Sequence, residues 1–174
     1  MLVIDTSAFI SLAIGDALDN VLVEYDVVTT TLVIEELEST AEYDDVHGHG
    51  ALAVLERSDC FEILDTSAPE FSSSRIDAGE ASCVAAVEET DAAFLITDDF
   101  RALPELTTLV STDVALSPIL LRALVKRGVL TDSEARSALD TIARDRDWFG
   151  APIYRYAQRL FEGEPRTESP DSDY

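Results

Sequence analysis

Leu2-Val3-Ile4-Asp5-Thr6-Ser7 is the stretch that decides the fold: an apolar run passes directly into an acid followed by two hydroxyls. Phe94-Leu95-Ile96-Thr97-Asp98-Asp99 repeats the design later in the chain. Short continuous apolar runs of this kind read as strands buried on both faces, as in parallel sheets. Each strand then delivers a carboxylate to its carboxyl end, where open α/β sheets gather their ligands.

Outward from the first stretch, residues 7–13 read as a helix capped by Thr6 or Ser7 and stopped near Gly15, with a short helix over 16–23. Residues 25–29 are β-branched and read as a second strand. A helix from Leu32, capped by Thr30 or Thr31, follows and carries Glu35 and Glu36 in its first turns. Residues 44–50 are polar and glycine-bearing and predict a loop, followed by a short helix over 51–57 and a third strand over 60–64. A proline- and serine-bearing surface loop is expected over 65–75, then a helix over 77–89 and a fourth strand over 93–97. A short helix over 98–103 ended by Pro104 and a fifth strand over 107–110 complete the alternation. From Ser117 the pattern is helical: 118–127, a helix opened by the capping box Thr131-Asp132-Ser133-Glu134 and running to about 146, and 151–161.

The expected fold class is therefore α/β, a central mostly parallel sheet flanked by helices with a helical carboxyl-terminal extension. One domain is expected over 1–162, its α/β core over 1–115 and its extension over 116–162, with a polar disordered tail over 163–174.

The chain has 174 residues, 47% of them hydrophobic, which suits a folded domain with a sizeable core. Its 35 acidic and 12 basic residues give a formal charge of -23, and only Lys126 is a lysine. A lysine-poor acidic surface resembles proteins of salt-in halophiles, where molar salt screens self-repulsion; global charge then excludes no nucleic-acid partner. Cys60 and Cys83 form no paired motif and read as buried free thiols. No apolar segment is long enough to span a bilayer, and Asp5 interrupts the first apolar run, so a cytoplasmic location without membrane contact is expected. Neither a glycine-rich dinucleotide turn nor a Walker lysine is present. Ser7 stands where a haloacid-dehalogenase-type phosphotransferase needs a second aspartate.

Four acidic stations recur along the α/β part: Asp5; Glu36 or Glu35; Asp77 with Glu80; and Asp98 with Asp99. Strand ends on one edge of a parallel sheet lie about 5 Å apart, and the helices that follow start at that edge, so these carboxylates have a common focus. Ionised carboxylates in one crevice repel unless a cation sits among them, and hard ions such as Mg2+ or Mn2+ take oxygen ligands. Such ions suit phosphodiester hydrolysis, because they activate water and neutralise the scissile phosphate.

Val3-Ile4-Asp5-Thr6-Ser7, Val33-Ile34-Glu35-Glu36-Leu37, Asp77-Ala78-Gly79-Glu80-Ala81 and Leu95-Ile96-Thr97-Asp98-Asp99, in this order, resemble the PIN-domain nucleases. The resemblance covers residues 1 to about 115. Residues 118–128 resemble the carboxyl-terminal part of one archaeal and bacterial PIN subgroup. It implies a metal-dependent ribonuclease acting on RNA, with Asp5, Glu36, Glu80 and Asp99 as catalytic metal ligands. Asp98 rivals Asp99, and Asp77 rivals Glu80. Thr6, Ser7 and Thr97 would support the ligands through their hydroxyls. The family includes toxins of toxin–antitoxin pairs, which implies an antitoxin protein as a partner, and homodimers are a further implication of the family. A PIN module without catalysis, binding RNA or a protein, is the alternative.

Each acid also has a plainer reading. Asp77 and Glu80 have the spacing of a helix cap and its reciprocal partner, Asp98 and Asp99 suit a helix dipole, and the glutamates suit a solvated helix face. His47 and His49 lack further ligands for zinc and read as surface-loop residues. Trp148, Phe149, Tyr154 and Tyr156 read as docking residues of the last helices, with base stacking the competing reading. Eight of the twelve cations fall in the carboxyl-terminal third, where they either track a phosphate backbone or pair with nearby acids.

Overall fold

In the computed structural model, which describes residues 1–66 and 76–162, five parallel strands form one sheet in the order β3-β2-β1-β4-β5. The strands are β1 (Leu2–Ile4), β2 (Val27–Thr30), β3 (Glu62–Leu64), β4 (Phe94–Ile96) and β5 (Asp113–Ala115). β1 is central and entirely buried, with Val3 level with Val28 on one side and Leu95 on the other. After β1 the chain steps through β2 to β3, then returns across the sheet to place β4 on β1's other flank. The reversal leaves a crevice at the carboxyl ends of β1 and β4, the position where such sheets bind ligands.

Nine α-helices are present among the described residues: α1 (Thr6–Ile14), α2 (Leu18–Glu24), α3 (Thr31–Ala41), α4 (Val46–Leu55), α5 (Ala78–Thr90), α6 (Leu103–Leu109), α7 (Ser117–Lys126), α8 (Asp132–Asp145) and α9 (Pro152–Phe161). α3 and α5 pack against β2 and each other, α1 packs on α3, α4 and α8, and α7 and α8 both meet α9. Phe9, Leu12, Leu37, Leu95, Ile96, Leu106 and Leu121 are among the fully buried side chains that knit sheet to helices. None of these helices is by itself long and apolar enough to cross a membrane.

Five local expectations are corrected. The cap of α1 is Asp5 itself, whose Oδ1 accepts from the Ala8 amide at 2.9 Å, not Thr6 or Ser7. The glycine-bearing segment expected as a loop is the first part of α4. Asp45 caps it by accepting from the His47 and Gly48 amides, and a Cβ on Gly48 would meet the Tyr43 carbonyl carbon at 2.9 Å. Glycine marks a close approach there rather than a turn. Pro104 opens a helix instead of ending one, because a first-turn proline loses no intrahelical bond. The expected strand over 107–110 consequently lies largely in α6, and β5 comes after it. Finally, Cys83 is buried but Cys60 is exposed.

Much of the proline- and serine-bearing loop (67–75) and the expected tail over 163–174 lie outside the described residues.

Candidate metal centre

At the sheet's reversal, Asp5, Thr6, Ser7, Glu36, Asp77, Glu80 and Asp99 line a cavity of about 80 Å³. Each element contributes for a local reason. β1 ends in Asp5, and Asp5 turns the chain into α1, so Thr6 and Ser7 fall on that helix's first turn. Thr30 caps α3 by accepting from the Val33 amide, which sets Glu36 one turn and a half inside the helix. α5 opens with the reciprocal box expected from sequence. The Glu80 amide donates to Asp77 at 2.8 Å and the Asp77 amide to Glu80 Oε2 at 3.0 Å.

The hydroxyls bind the acids together. Thr97 Oγ1 donates to Asp5 Oδ2 at 2.6 Å and accepts from the Asp99 amide at 3.1 Å, joining β1 to β4. Ser7 Oγ donates to Asp5 at 2.9 Å and accepts from the Asp98 amide at 2.8 Å. Thr6 Oγ1 donates to Glu36 Oε2, and the Gly79 amide also donates to Glu36.

Asp98 and Asp99 part company. Asp99 lines the cavity and takes the Arg101 and Ala102 amides on Oδ1. Asp98 is buried, and its carboxylate accepts from the Ser117 amide at 2.8 Å and the Ser117 hydroxyl at 2.7 Å, with Arg146 nearby. It therefore ties the start of α7 to the end of β4 rather than lining the cavity. Asp77 and Glu80 both line it, whereas Glu35 does not.

Burial sets the protonation of this cluster. It pushes Asp5 up to about 7, against the lowering effect of the Thr97, Ala8 and Ser7 bonds, and the Asp98 charge pushes the same way. Burial likewise pushes Glu80 up to about 8, reinforced by the Asp77, Asp5 and Asp99 charges. Glu36 and Asp98 are raised chiefly by burial too. Among the described residues, no lysine, arginine or histidine lines the cavity. A lining of carboxylates and hydroxyls, its acids held toward protonation chiefly by burial, fits a hard divalent cation. As the side chains stand, no three His, Cys, Asp or Glu among the described residues are placed to hold one ion together. Each carboxylate is drawn to donors of its own, but a carboxylate with one or two donors keeps lone pairs for a ligand.

A family model described as a PIN domain matches residues 1–162. The chain belongs to the PIN-domain family. PIN domains are generally nucleases and typically use divalent metals. No curated protein and no solved structure matches this PIN domain. Three residues have roles at or beside the centre that the sequence reading did not assign. Gly79 is one: a Cβ there would lie 2.7 Å from the Glu36 carboxyl carbon, so glycine is what lets the Glu36 carboxylate sit where it does against α5. A glycine immediately before the acid of a capping box was the available signal. Ser117 and Arg146, the partners of Asp98, had none, being distant in sequence.

Two results are expected from this geometry. In a metal-free preparation the protein should melt at a lower temperature at pH 8.5 than at pH 5.5, by scanning calorimetry at fixed salt. Asp5 and Glu80 hold protons in the folded state up to about 7 and about 8. The unfolded chain releases them near pH 4, so stability falls as pH rises between those values. Added Mn2+ should restore the midpoint at the higher pH, whereas a flat profile would contradict the assigned crowding. Separately, Asp98→Ala strands the buried Ser117 amide and hydroxyl, which should cost about 1–3 kcal/mol in a denaturant titration. An unchanged midpoint would remove Asp98 from its bracing role.

Proposed function

We propose that this PIN domain is a Mg2+- or Mn2+-dependent endoribonuclease that hydrolyses RNA phosphodiester bonds at the Asp5–Glu36–Glu80–Asp99 cavity. The observation carrying the reading is the convergence of five carboxylates, Asp77 included, from four separate parts of the fold on one cavity with no cation in its lining among the described residues. Asp5, Glu36, Glu80 and Asp99 would hold the ion, with Asp77 as a fifth candidate. When bound, a divalent ion supplies an activated water and charge neutralisation at the scissile phosphate.

The chain's own residues do the positioning. Thr97 and Ser7 fix the two Asp5 oxygens, Thr6 and the Gly79 amide fix Glu36, and the Asp77 amide fixes Glu80. Glu80 and Asp5, held protonated near neutral pH, would give up those protons to hold a divalent cation. They would also serve as acceptors for a proton leaving the attacking water.

A second reading, a module that binds RNA or a protein without cleaving, is favoured by one observation: the acids are not placed to hold an ion together as they stand. Cleavage of a mixed RNA in molar KCl with Mn2+, abolished by chelator and restored by Mn2+, supports the nuclease. No cleavage under any divalent ion, with RNA retained in a filter assay, supports the module. A toxin role with an antitoxin partner, and homodimerisation, are supported by the family alone.

A further inference from the structure

We propose that the outward face of α9, with Phe149 at its approach, is the surface on which a single strand of RNA lies while its phosphodiester occupies the acid cavity. This rests on the nuclease reading above and assigns the substrate's path on the protein.

The first observation is charge. Residues 148–161 contain no acid in a chain of net charge -23, yet they carry Arg155 and Arg159. Six arginines elsewhere among the described residues are ion-paired: Arg57 with Asp19, Arg101 with Asp99, Arg122 and Arg136 with Asp132, Arg127 with Glu24, Arg144 with Asp145. Arg146 is turned inward, donating to the Ser7 carbonyl at 3.0 Å. Arg155 and Arg159 are exposed and have no ion-pair partner among the described residues, a condition shared only with Lys126. The pairing reading of the eight carboxyl-terminal cations thus holds for four of them, Arg122, Arg127, Arg136 and Arg144, and fails among the described residues on both arginines of α9.

The second observation is their alignment. Arg155 and Arg159 are four residues apart on one helix, so both point from the same face, about 6 Å apart along the axis. Ile153, Ala157 and Phe161 bury the opposite face. Tyr156 is exposed beside the arginines, and Phe149 is 56% exposed, its ring set edge-on against Tyr154 at 5.1 Å. Trp148, by contrast, is buried and docks the turn. Exposed rings beside unpaired cations suit unstacked bases and their backbone, as a single strand offers them.

The third observation is continuity with the cavity. Arg146 grips the carbonyl of Ser7, a cavity-lining residue. Phe149 follows three residues on, at most about 11 Å of chain away. α9 begins three residues after it, at Pro152. The end of α8 that reaches a cavity-lining residue is thus the end from which Phe149 and α9 follow, and the proposed path of the strand runs along it.

The test compares the native chain with the double variant Arg155→Gln, Arg159→Gln. The probes are a fluorescein-labelled single-stranded RNA, a fluorescein-labelled polyglutamate peptide, and bis(p-nitrophenyl) phosphate, a diester too small to reach α9. RNA affinity of the variant should fall about tenfold, and the slope of log affinity against log salt should drop by roughly 1–2, as for two lost phosphate contacts. Mn2+-dependent hydrolysis of the small diester should not change. RNA affinity and slope equal to native, with the small diester still hydrolysed, overturn the surface while sparing the nuclease. Loss of polyglutamate binding with RNA binding intact overturns it in favour of an acidic protein partner. Loss of RNA binding in the variant, with no hydrolysis of the small diester by either chain, supports the surface and removes the nuclease reading instead.

Discussion

Asp5→Asn should lower Mn2+-dependent RNA cleavage by about 10³-fold, equivalent to about 4 kcal/mol of transition-state stabilisation. Asp5 stands where β1 ends, between β4's Thr97 and α1's Ser7, and both hydroxyls donate to its carboxylate. Its Oδ1 also caps α1 through the Ala8 amide. Asparagine caps helices as well as aspartate does, so the Ala8 bond survives the exchange. Its amide nitrogen can donate to Thr97 Oγ1 in place of accepting from it. What is lost is negative charge. In the metal-free protein at neutral pH that charge is a burden, since burial and the Asp98 charge push the Asp5 carboxyl up to about 7. The variant should therefore melt no lower than the native protein at pH 8.5 without metal, while cleavage disappears. Native-like cleavage by the variant would remove Asp5 from the chemistry, and a much lower midpoint would make its role structural.

Gly79→Ala should lower Mn2+ affinity and cleavage by roughly 10–100-fold, the effect of disturbing a group that orients a ligand. The methyl would stand 2.7 Å from both Glu36 Cδ and Oε2, closer than packed atoms allow, and it competes for the position from which the Gly79 amide reaches Glu36. The Glu36 carboxylate is the far end of a flexible side chain, so it moves and the backbone does not. Alanine favours helix over glycine by about 1 kcal/mol, so stability should hold or rise. A fall in affinity without a fall in melting temperature is the signature of a displaced ligand. Unchanged Mn2+ affinity would show that Glu36 takes no part in holding the ion.

The parts of this fold that could be read from sequence are those where a local pattern and the tertiary structure ask for the same thing. β1 is a short apolar run because both its faces are covered, as are Leu95 and Ile96 of β4, and the capping boxes of α5 and α8 satisfy their own amides locally. The convergence of the acids was legible for a related reason: parallel strands and the helices after them present their ends at one edge of the sheet. Where packing decides, the sequence misleads. Gly48 reads as a breaker but sits in α4 because α4 comes so close to the Tyr43 carbonyl. The β-branched residues at 107, 108 and 110 suggest a strand, yet Pro104 starts a helix that carries through to Leu109. Asp98 and Asp99 are adjacent and equal in sequence. Only the fold separates them, sending one to Ser117 on α7 and the other to the cavity.

The central claim is that the acid cavity holds a divalent cation, and calorimetric titration of the metal-free protein with Mn2+ at pH 8.5 in molar KCl tests it most directly. The account requires saturable binding, with proton release when the titration is repeated near pH 7, and its loss in Asp5→Asn. Absence of saturable binding, or binding of equal strength in Asp5→Asn, would contradict it.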